Sequence, residues 1–316
     1  MTTPGFCYSP RMRRQLLETV LKSVPESSSY SGRTILVAGG SGQIGVNVVA
    51  LALARGAQVI ALEHRTALGF THPRLKLLSA DLAAPATPAF PRADILIHTP
   101  PIWLLPDALP AIAAAGIRRA VVFGSASVFS KRDSLNATER SVVDSLAGAE
   151  QKVSAAAAEQ GLDLTLLRPT MTYGMGLDIN ITRMARMIRR LHVVPIYNPA
   201  NGLRQPVHAR DLAEAALAVS DNPATFGKAY DLGGGEQLSY RAMVQRLFVR
   251  LGATPRLLPL PLLPQSLDLV SRLFPALHVN GEIARRMNRD LVADNAPAAR
   301  DFGYRPRGFL SGEVVL

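Results

Sequence analysis

Cysteine, aromatic residues and long apolar runs are all scarce in this chain of 316 residues. A single cysteine, Cys7, excludes an intrachain disulfide and a cysteine-rich zinc site, and it predicts a reducing, cytoplasmic compartment. No uncharged apolar run reaches the roughly 18 residues that a membrane span needs, and no signal-peptide pattern opens the chain. Membrane-spanning and disulfide-stabilised classes are therefore not expected.

Negative charge is also in short supply. The chain has 35 Lys and Arg residues against 24 Asp and Glu residues, a formal net charge of +11. Such a balance suits a polyanionic partner, an anionic membrane surface or a phosphorylated ligand, and it also arises from arginines scattered for solubility. Because aromatic residues make up only 6% of the chain and do not interleave with basic runs, nucleic acid is not an expected partner.

What the chain does have is a glycine-rich turn between a predicted strand and a predicted helix. The apolar stretch Thr34–Ala38 is typical of a strand buried on both faces, and an apolar helical stretch follows at 46–55. Such a turn lets the backbone approach a pyrophosphate, while the helix start offers unpaired N–H groups and the positive end of its dipole. The residues assigned to this dinucleotide phosphate site are Gly39, Gly42, Gln43, Ile44 and Gly45.

Strand-like and helix-like stretches alternate after the turn. Strands are predicted at 34–38, 57–62, 75–79, 94–98, 119–124 and 163–167, with helices around 45–55, 106–115 and 146–160. Helices between strands imply parallel pairing with right-handed crossovers. We therefore predict an α/β fold with a Rossmann-type, doubly wound parallel sheet and a smaller, mostly helical C-terminal lobe.

The domain boundaries follow from where this rhythm breaks. The Rossmann domain is predicted at 33–175, with 205–235 returning to it, and the substrate-binding lobe at 176–204 and 236–316. Later elements are predicted as helices at 183–191, 211–220 and 239–251, an extended segment at 205–208 and a strand at 229–232. The proline-rich apolar stretch 257–264 is predicted not to form one helix.

Residues 1–32 stand apart as an N-terminal helical extension and linker. Residues 11–24 place Leu16, Leu17, Val20 and Leu21 on one helical face. This face favours packing on the domain or on a partner subunit. A basic amphipathic helix of this kind also suits peripheral contact with a membrane.

Several short motifs, in order, resemble the extended short-chain dehydrogenase/reductase superfamily, in its nucleotide-sugar epimerase/dehydratase family. After the glycine-rich turn they are Asp81-Leu82, Ser125 to Phe129, Leu167-Arg168-Pro169 with Tyr173-Gly174, Arg204 to Ala213 with its R-x-x-V-H-x-x-D-L-A pattern, and Ala229 to Gly234. The resemblance runs from about residue 33 to 309. It implies an NAD(P)-binding enzyme acting on a nucleotide-activated sugar or a similar phosphorylated small molecule.

The family's catalytic Tyr-x-x-x-Lys pair is absent from this sequence. Matching Glu150 to the family's glutamate puts Val142 where tyrosine belongs and Leu146 where lysine belongs, and no tyrosine occurs between Tyr30 and Tyr173. In the family the tyrosine is the general base and the lysine depresses its pKa. The resemblance therefore implies an atypical member that keeps the cofactor site without the usual reaction.

The remaining cofactor residues are assigned from the ends of the predicted strands. Glu63 suits the ribose hydroxyls of NAD, whereas Arg65 suits the 2′-phosphate of NADP, and NAD is slightly favoured; Glu63 can also be a solvated acid at a strand end. The resemblance places Asp81 and Leu82 at the adenine. Thr99, Pro100 and Pro169 are expected beside the cofactor, where the prolines form a rigid wall.

Candidate catalytic residues are Ser125, Lys131 and Glu139. The family spacing makes Ser125 a hydrogen-bonding partner of a substrate hydroxyl or carbonyl, or else a packing residue. Lys131 and Glu139 are predicted on a polar loop over the cofactor, as alternative acid/base groups or as solvated charges.

Arginines are the candidate substrate ligands. The resemblance implies that Arg204 binds the substrate diphosphate, with Arg286 and Arg289 as a second contact. Alternatively, Arg204 pairs with Asp211 or another acid. His208 and Asp211 are interpreted as structural, with Asp211 capping a helix that begins at Leu212.

No metal is predicted, because the histidines show no metal-ligand spacing; they are His64, His72, His98, His192 and His278.

Many relatives in the resembled family form dimers, so we expect a homodimer that packs through the alanine-rich stretch 147–158. Two other functions stay open: a catalytically inactive dinucleotide-binding protein with a regulatory or assembly role, and a non-redox lyase or isomerase.

Overall fold

Seven parallel strands form the central sheet of the protein, whose computed structural model describes residues 10–84, 89–277, 279–312 and 314–316. These strands are β1 (Thr34–Ala38), β2 (Gln58–Glu63), β3 (Leu75–Ser79), β4 (Ile95–His98), β5 (Arg119–Phe123), β6 (Asp163–Pro169) and β11 (Ala229–Leu232). Six shorter strands lie outside this sheet: β7 (Thr172–Tyr173), β8 (Val194–Ile196), β9 (Leu203–Arg204), β10 (Val207–His208), β12 (Leu238–Ser239) and β13 (Leu257–Pro259).

The order of the strands in the sheet is β11-β6-β5-β4-β1-β2-β3. Each neighbouring pair is parallel, with Ala38 of β1 opposite Leu62 of β2 and His98 of β4. The chain moves outward from β1 in one direction and then restarts at β4 on its other side. In doubly wound sheets this reversal opens a crevice at the carboxyl ends of the strands, so ligands bind there. The predicted Rossmann-type sheet is confirmed.

The sheet is central because its inner strands are apolar on both faces. Ile35, Leu36, Val37 and Ala38 are all at most 1% exposed. Ile35 and Val37 face one apolar cluster with helices on that side, while Leu36 and Ala38 face a second cluster on the other side. Alternate residues of one strand therefore serve two separate cores.

Eleven α-helices lie in the described part of the chain. They are α1 (Pro10–Lys22), α2 (Gln43–Ala54), α3 (Leu109–Ala114), α4 (Ser127–Ser130), α5 (Ala137–Glu159), α6 (Ile181–Leu191), α7 (Ala209–Ser220), α8 (Tyr240–Arg250), α9 (Leu263–Leu273), α10 (Gly281–Arg285) and α11 (Ala296–Phe302). Helices α1, α2 and α7 supply the first cluster, whereas α3 and α5 supply the second.

A third apolar cluster marks the C-terminal lobe. It joins α6, α8, the start of α9 and α10 with the short strands β8 and β12, and Phe248 at its centre is fully buried. Because this cluster shares no residues with the two clusters on the sheet, it supports the predicted smaller lobe. The exact domain boundaries stay a prediction.

The N-terminal helix packs on the sheet domain, as one of the predicted alternatives expected. Leu16, Leu17 and Val20 are buried in the first cluster, beside α2. The following linker is also bound, because the Tyr30 hydroxyl donates to the Leu217 carbonyl over 2.5 Å. The apolar face of α1 is thus covered by this same chain, and peripheral membrane contact stays a prediction.

Two local predictions differ from the structure, and a third agrees with it but missed a short strand. Helix α5 begins at Ala137, not near 146, because the Asn136 side chain accepts a hydrogen bond from Glu139 N (3.1 Å) and starts the helix early. Helix α7 begins at Ala209 and is capped by His208, so Asp211 lies inside its first turn. The stretch 257–264 is not one helix, as predicted, but its first three residues form β13 beside β8.

Candidate functional site: a glycine turn and an adjoining cleft

The glycine-rich turn has the compact shape that phosphate binding requires. Gly39 has a φ of 74°, and the Gly42 N–H donates to its carbonyl oxygen over 2.9 Å. A Cβ on Gly45 would overlap that same oxygen. The turn therefore tolerates no side chain at Gly45, and it brings the unpaired N–H groups of the first turn of α2 to the sheet edge. These residues fit a dinucleotide phosphate.

A rigid wall lies against this turn at the end of β4. The Thr99 hydroxyl donates to the Ala38 carbonyl over 2.9 Å. A Cβ on Gly39 would lie 2.6 Å from Thr99 Oγ1 and 3.0 Å from Pro100 Cγ. The predicted wall at Thr99 and Pro100 is therefore in place beside the first glycine.

The predicted ribose and adenine residues lie at the ends of β2 and β3. The Glu63 carboxylate accepts from the Leu68 N–H, which orients it at the strand end. Arg65, two residues after Glu63, is exposed. Asp81 lies 3.0 Å from His64 Nδ1 and accepts from Ala83 N over 2.9 Å.

Leu82 packs against the second apolar cluster, so its side chain is a wall and not a hydrogen-bonding group. Both Glu63 and Arg65 stay at the end of β2. The structure thus keeps both groups that would favour NAD or NADP, and the choice between them remains a prediction.

A cleft of about 750 Å³ opens where the sheet meets the C-terminal lobe. Its sheet side is formed by Gln43, by Ser125 after β5 and by Pro169 at the end of β6. Its lobe side includes Arg204 and Arg286. The cleft therefore joins the start of α2 to the predicted substrate residues, across the carboxyl ends of the strands.

Ser125 and Lys131 both line this cleft. Ser125 Oγ accepts a hydrogen bond from Ser127 N over 3.2 Å, which fixes it at the start of α4. Lys131 is partly buried, and burial together with the positive charge of Arg286 lowers the pKa of its ammonium group. A lysine in this setting releases its proton more readily than an exposed one.

Glu139 is held by partners in two parts of the chain. It lies in the first turn of α5, not on a loop as predicted, and it pairs with Arg286. Ser134 also donates to it over 2.8 Å. Although burial acts to raise the pKa of Glu139, the bonds from Arg286 and Ser134 hold it below its usual value. This carboxylate connects α5 to the C-terminal lobe.

The predicted substrate arginines are also engaged. Arg204 is 2% exposed and donates to the carbonyls of Leu203 and Arg289 over 2.8 Å, and to that of Arg286. Burial lowers its pKa to about 10. Arg289 lies 3.6 Å from Glu282.

Arg204 does not pair with Asp211, the predicted alternative. Asp211 instead accepts from the Arg307 guanidinium over 2.8 Å and from the Arg307 backbone N–H over 3.0 Å. Arg204 therefore acts on the backbone of the segment 286–289. Of the three predicted arginines, Arg204 and Arg286 reach the lining of the cleft.

The two positions that the resemblance matches to the catalytic pair, Val142 and Leu146, do not line the cleft. Val142 is 43% exposed, and Leu146 is buried in the second apolar cluster. Among the described residues around the cleft, none is a tyrosine. Glu150, from which the two positions were counted, binds the Arg168 guanidinium through both carboxylate oxygens at 2.7 to 3.1 Å.

Among the described residues, three acids that the sequence reasoning did not assign to the site line the cleft: Asp178, Asp231 and Asp290. Asp231 is the penultimate residue of β11 and lies opposite Arg168 of β6. Burial raises the pKa of Asp231, against the opposing effect of Arg168 at 3.7 Å. Its place just before the pair Gly233-Gly234 at the end of a predicted strand was a usable signal, since residues at the carboxyl end of a parallel strand reach the ligand crevice.

No group of three or more metal-ligating side chains occurs within the described ranges, and His278 lies outside them. His98 is buried, and burial lowers its pKa to about 4. His208 accepts from Arg210 N over 3.1 Å as the cap of α7, and burial with the charges of Arg307 and Arg210 lowers its pKa to about 3. Both histidines are structural.

The structure combines a Rossmann-type sheet and a glycine-rich turn with an adjoining cleft at the carboxyl ends of the strands. Residues 107–233 match the model of the NAD dependent epimerase/dehydratase family. This match covers less than half of the chain, and the solved structures described below share its fold.

Three curated proteins are similar in sequence to this chain. The chain is 23% identical over 158 residues to a UDP-glucose 4-epimerase of Vibrio cholerae, covering 50% of this chain and 46% of the relative. It is 30% identical over 175 residues to a 2-alkyl-3-oxoalkanoate reductase of Stenotrophomonas maltophilia, covering 50% and 51%. The matches thus span about half the length of these two relatives. An uncharacterized protein of Sinorhizobium fredii is 26% identical over 303 residues, covering 87% and 75%.

Solved structures share the fold. A dTDP-glucose 4,6-dehydratase of Streptomyces venezuelae with NAD and TYD bound superposes with a TM-score of 0.66 and 20% identity, covering 88% of this chain and 93% of that one. A UDP-glucose 4-epimerase of Thermotoga maritima with UDP-glucose gives a TM-score of 0.64 and 16% identity, covering 88% and 94%.

In the described residues, no helix is long and apolar enough to cross a membrane.

Proposed function

We propose that this protein is an NAD(P)-binding enzyme of the epimerase, dehydratase or reductase type that acts on a nucleotide-activated sugar without a Tyr-Lys pair. The carrying observation is the juxtaposition of the glycine turn at Gly39 to Gly45 with the cleft at Ser125 and Arg286. The ligands bound in the structural neighbours, NAD and TYD in the dehydratase and UDP-glucose in the epimerase, support the same pairing of sites.

The nucleotide would be held by groups at the ends of β1, β2 and β4. The first-turn N–H groups of α2 bind phosphate oxygens, and the Glu63 carboxylate accepts ribose hydroxyls, which slightly favours NAD. When bound, a pyridine nucleotide supplies hydride transfer. Substrate orientation and proton transfer are assigned to side chains of the protein.

Proton handling is assigned to two groups of the cleft whose pKa values move toward neutrality. Burial lowers the pKa of Lys131 and raises that of Asp231. An amine that loses its proton easily suits a general base, and a carboxyl group that keeps its proton suits a general acid. Ser125 would orient the substrate hydroxyl, and Glu139 would position Arg286.

The test combines binding with turnover. Isothermal titration with NAD, NADP and a panel of UDP- and dTDP-sugars should show nucleotide binding, followed by binding of one sugar class. In turnover assays Lys131→Met should lower kcat by roughly 10²-fold or more, the typical contribution of general base catalysis. Lys152→Met, at an exposed position of α5, is the matched control and should leave kcat unchanged. Binding of NAD or NADP with no binding of any nucleotide sugar would refute the substrate assignment.

A second function follows from Val142 and Leu146, which can neither accept nor donate a proton. In this version the chain binds a dinucleotide as an inactive regulatory or assembly protein. Nucleotide binding without turnover of any sugar, together with no effect of Lys131→Met on binding, would favour it. Turnover that is lost in Lys131→Met would contradict it.

A further inference from the structure

The N-terminal helix lies outside the stretch that matches the family model, yet it packs directly against the dinucleotide end of the sheet domain. Leu16, Leu17 and Val20 are buried against α2, the helix that follows the glycine turn. This contact fixes the position of α1 relative to that turn. Side chains at the start of α1 are therefore placed over it.

Arg13 makes the decisive contact. Its side chain is 7% exposed, and its Nε donates a 2.8 Å hydrogen bond to the carbonyl oxygen of Ser41. Ser41 is the residue between Gly40 and Gly42, in the middle of the turn. An arginine that is mostly buried and bonded to a backbone carbonyl loses mobility as well as hydration, so it fixes the peptide that it contacts.

The orientation of this peptide matters for an anion. A carbonyl oxygen that faced the phosphate would repel it, whereas the N–H groups at the start of α2 attract it. By binding the Ser41 oxygen, Arg13 holds that oxygen on the α1 side. The guanidinium also places a permanent positive charge beside the turn.

The same helix touches a second loop of the site. Pro10 lies against Gly69, where an added Cβ would come within 3.0 Å of Pro10 Cβ and 3.1 Å of its carbonyl oxygen. Gly69 follows Leu68, whose N–H binds the Glu63 carboxylate. One helix thus contacts both the phosphate turn and the loop that orients the predicted ribose ligand.

We propose that α1 is a third wall of the dinucleotide site and that Arg13 is its positioning residue, which sets the glycine turn for phosphate binding. This inference rests on the proposed binding of a pyridine nucleotide at Gly39 to Gly45. It assigns the N-terminal extension a role in cofactor affinity, beyond covering the apolar side of α2.

Arg14 provides a matched control one residue away. It is 60% exposed at the side chain and pairs with Glu18 along the surface of α1. Titration calorimetry with NAD and NADP should be run on the wild type, Arg13→Ala, Arg13→Lys and Arg14→Ala, well below each melting temperature. Hydrogen exchange of the amides at 39–45 should be followed in the same nucleotide-free samples.

Loss of the charge-assisted bond should weaken nucleotide binding in Arg13→Ala by roughly tenfold or more. Exchange at the turn should rise in the same variant, and Arg14→Ala should match the wild type in both measurements. Arg13→Lys keeps a donor and the charge, so it should recover part of the affinity; it also serves if Arg13→Ala does not fold. These results would support a positioning role.

Equal affinities for Arg13→Ala and Arg14→Ala would overturn the inference while leaving the proposed function intact. A lower melting temperature of Arg13→Ala with unchanged affinity and unchanged exchange would overturn it too, because that pattern is a structural role alone. A wild-type protein that binds neither nucleotide would overturn both the proposed function and this inference.

Discussion

The glycine turn and helix α5 belong to the same sheet domain. They differ in how many of the residues expected from the family resemblance they keep. In the turn, two positions have no room for a side chain. A Cβ on Gly45 would overlap the Gly39 carbonyl oxygen, and a Cβ on Gly39 would crowd Thr99 and Pro100. In α5, the positions that the resemblance matches to the catalytic tyrosine and lysine carry Val142 and Leu146. The turn has the backbone shape that a phosphate would need, whereas neither of these two side chains can transfer a proton.

Phosphate binding at the turn and proton transfer from α5 would therefore depend on separate sets of interactions. Glu150 ties α5 to β6 through Arg168, which holds the helix in place. Leu146 is buried in the second cluster. These contacts are separate from those that shape the glycine turn.

The largest expected effect comes from breaking the turn itself. Gly45→Ala places a methyl group on the Gly39 carbonyl oxygen, and neither backbone can move without changing the turn. Binding of NAD or NADP should fall by more than about 100-fold, because several phosphate contacts are lost together. Titration calorimetry checks it.

Gly148→Ala is the control, since a Cβ there meets nothing within 4 Å in the middle of α5. It should leave affinity unchanged and raise the free energy of unfolding by about 0.5–1 kcal/mol, the usual gain from alanine in a helix. Equal affinity in the two variants would show that the turn is not the nucleotide site.

The second effect tests the part of α5 that is retained. Glu150→Gln removes the negative charge that balances the largely buried Arg168 guanidinium. We expect a loss of roughly 2–3 kcal/mol in the free energy of unfolding, because an uncompensated buried charge remains, with only Asp231 at 3.7 Å to offset it. Urea denaturation measures the loss. Asp144→Asn, at an exposed position of the same helix, should change stability little, and an equal loss there would contradict the special role of Glu150.

Sequence patterns predicted the sheet domain well because its signals are local. The apolar run Thr34–Ala38 and the glycine spacing that follows it specify strand, turn and helix within a dozen residues. All strands predicted for the sheet are present, with ends that differ by at most two residues. The parallel pairing follows from the alternation of elements, since strands joined through helices run parallel.

The partners of charged side chains were not predictable in the same way. Glu139 and Arg286 are 147 positions apart, and neither position shows a pattern that pairs them. The early start of α5 was predictable, since Asn136 with Glu139 three residues later is a helix N-terminus signal. The contact of Arg13 with Ser41 depends on the docking angle of α1, which only tertiary packing sets.

A third, smaller effect tests whether Glu139 is a catalytic group or a structural contact between α5 and the C-terminal lobe. Glu139→Gln keeps an acceptor for Ser134 but loses the ion pair with Arg286, at side chains that are 15% and 12% exposed. We expect a stability loss of about 1–2 kcal/mol and a raised KM, with kcat within a few-fold of the wild type. Thermal denaturation and steady-state kinetics check this. Glu159→Gln, at the exposed end of α5, is the control. A loss of kcat by a factor of 100 or more would instead make Glu139 a catalytic acid or base.

The smallest effect concerns His208, which caps α7 where the sheet domain meets the C-terminal lobe, with Tyr173 against its ring at 5.3 Å. Its pKa in the folded protein is about 3, below the unfolded value of 6.5, so the unfolded chain takes up the proton first and stability is lost as the pH falls from 6.5 toward 3. Between pH 7.5 and 5.5 this one group should remove about 1.4 kcal/mol. His208→Asn keeps a capping acceptor and removes the titration, so its stability should fall less steeply with acid than that of the wild type. Urea midpoints at several pH values measure the slope, and equal slopes in both proteins would show that His208 is accessible to protons in the folded state.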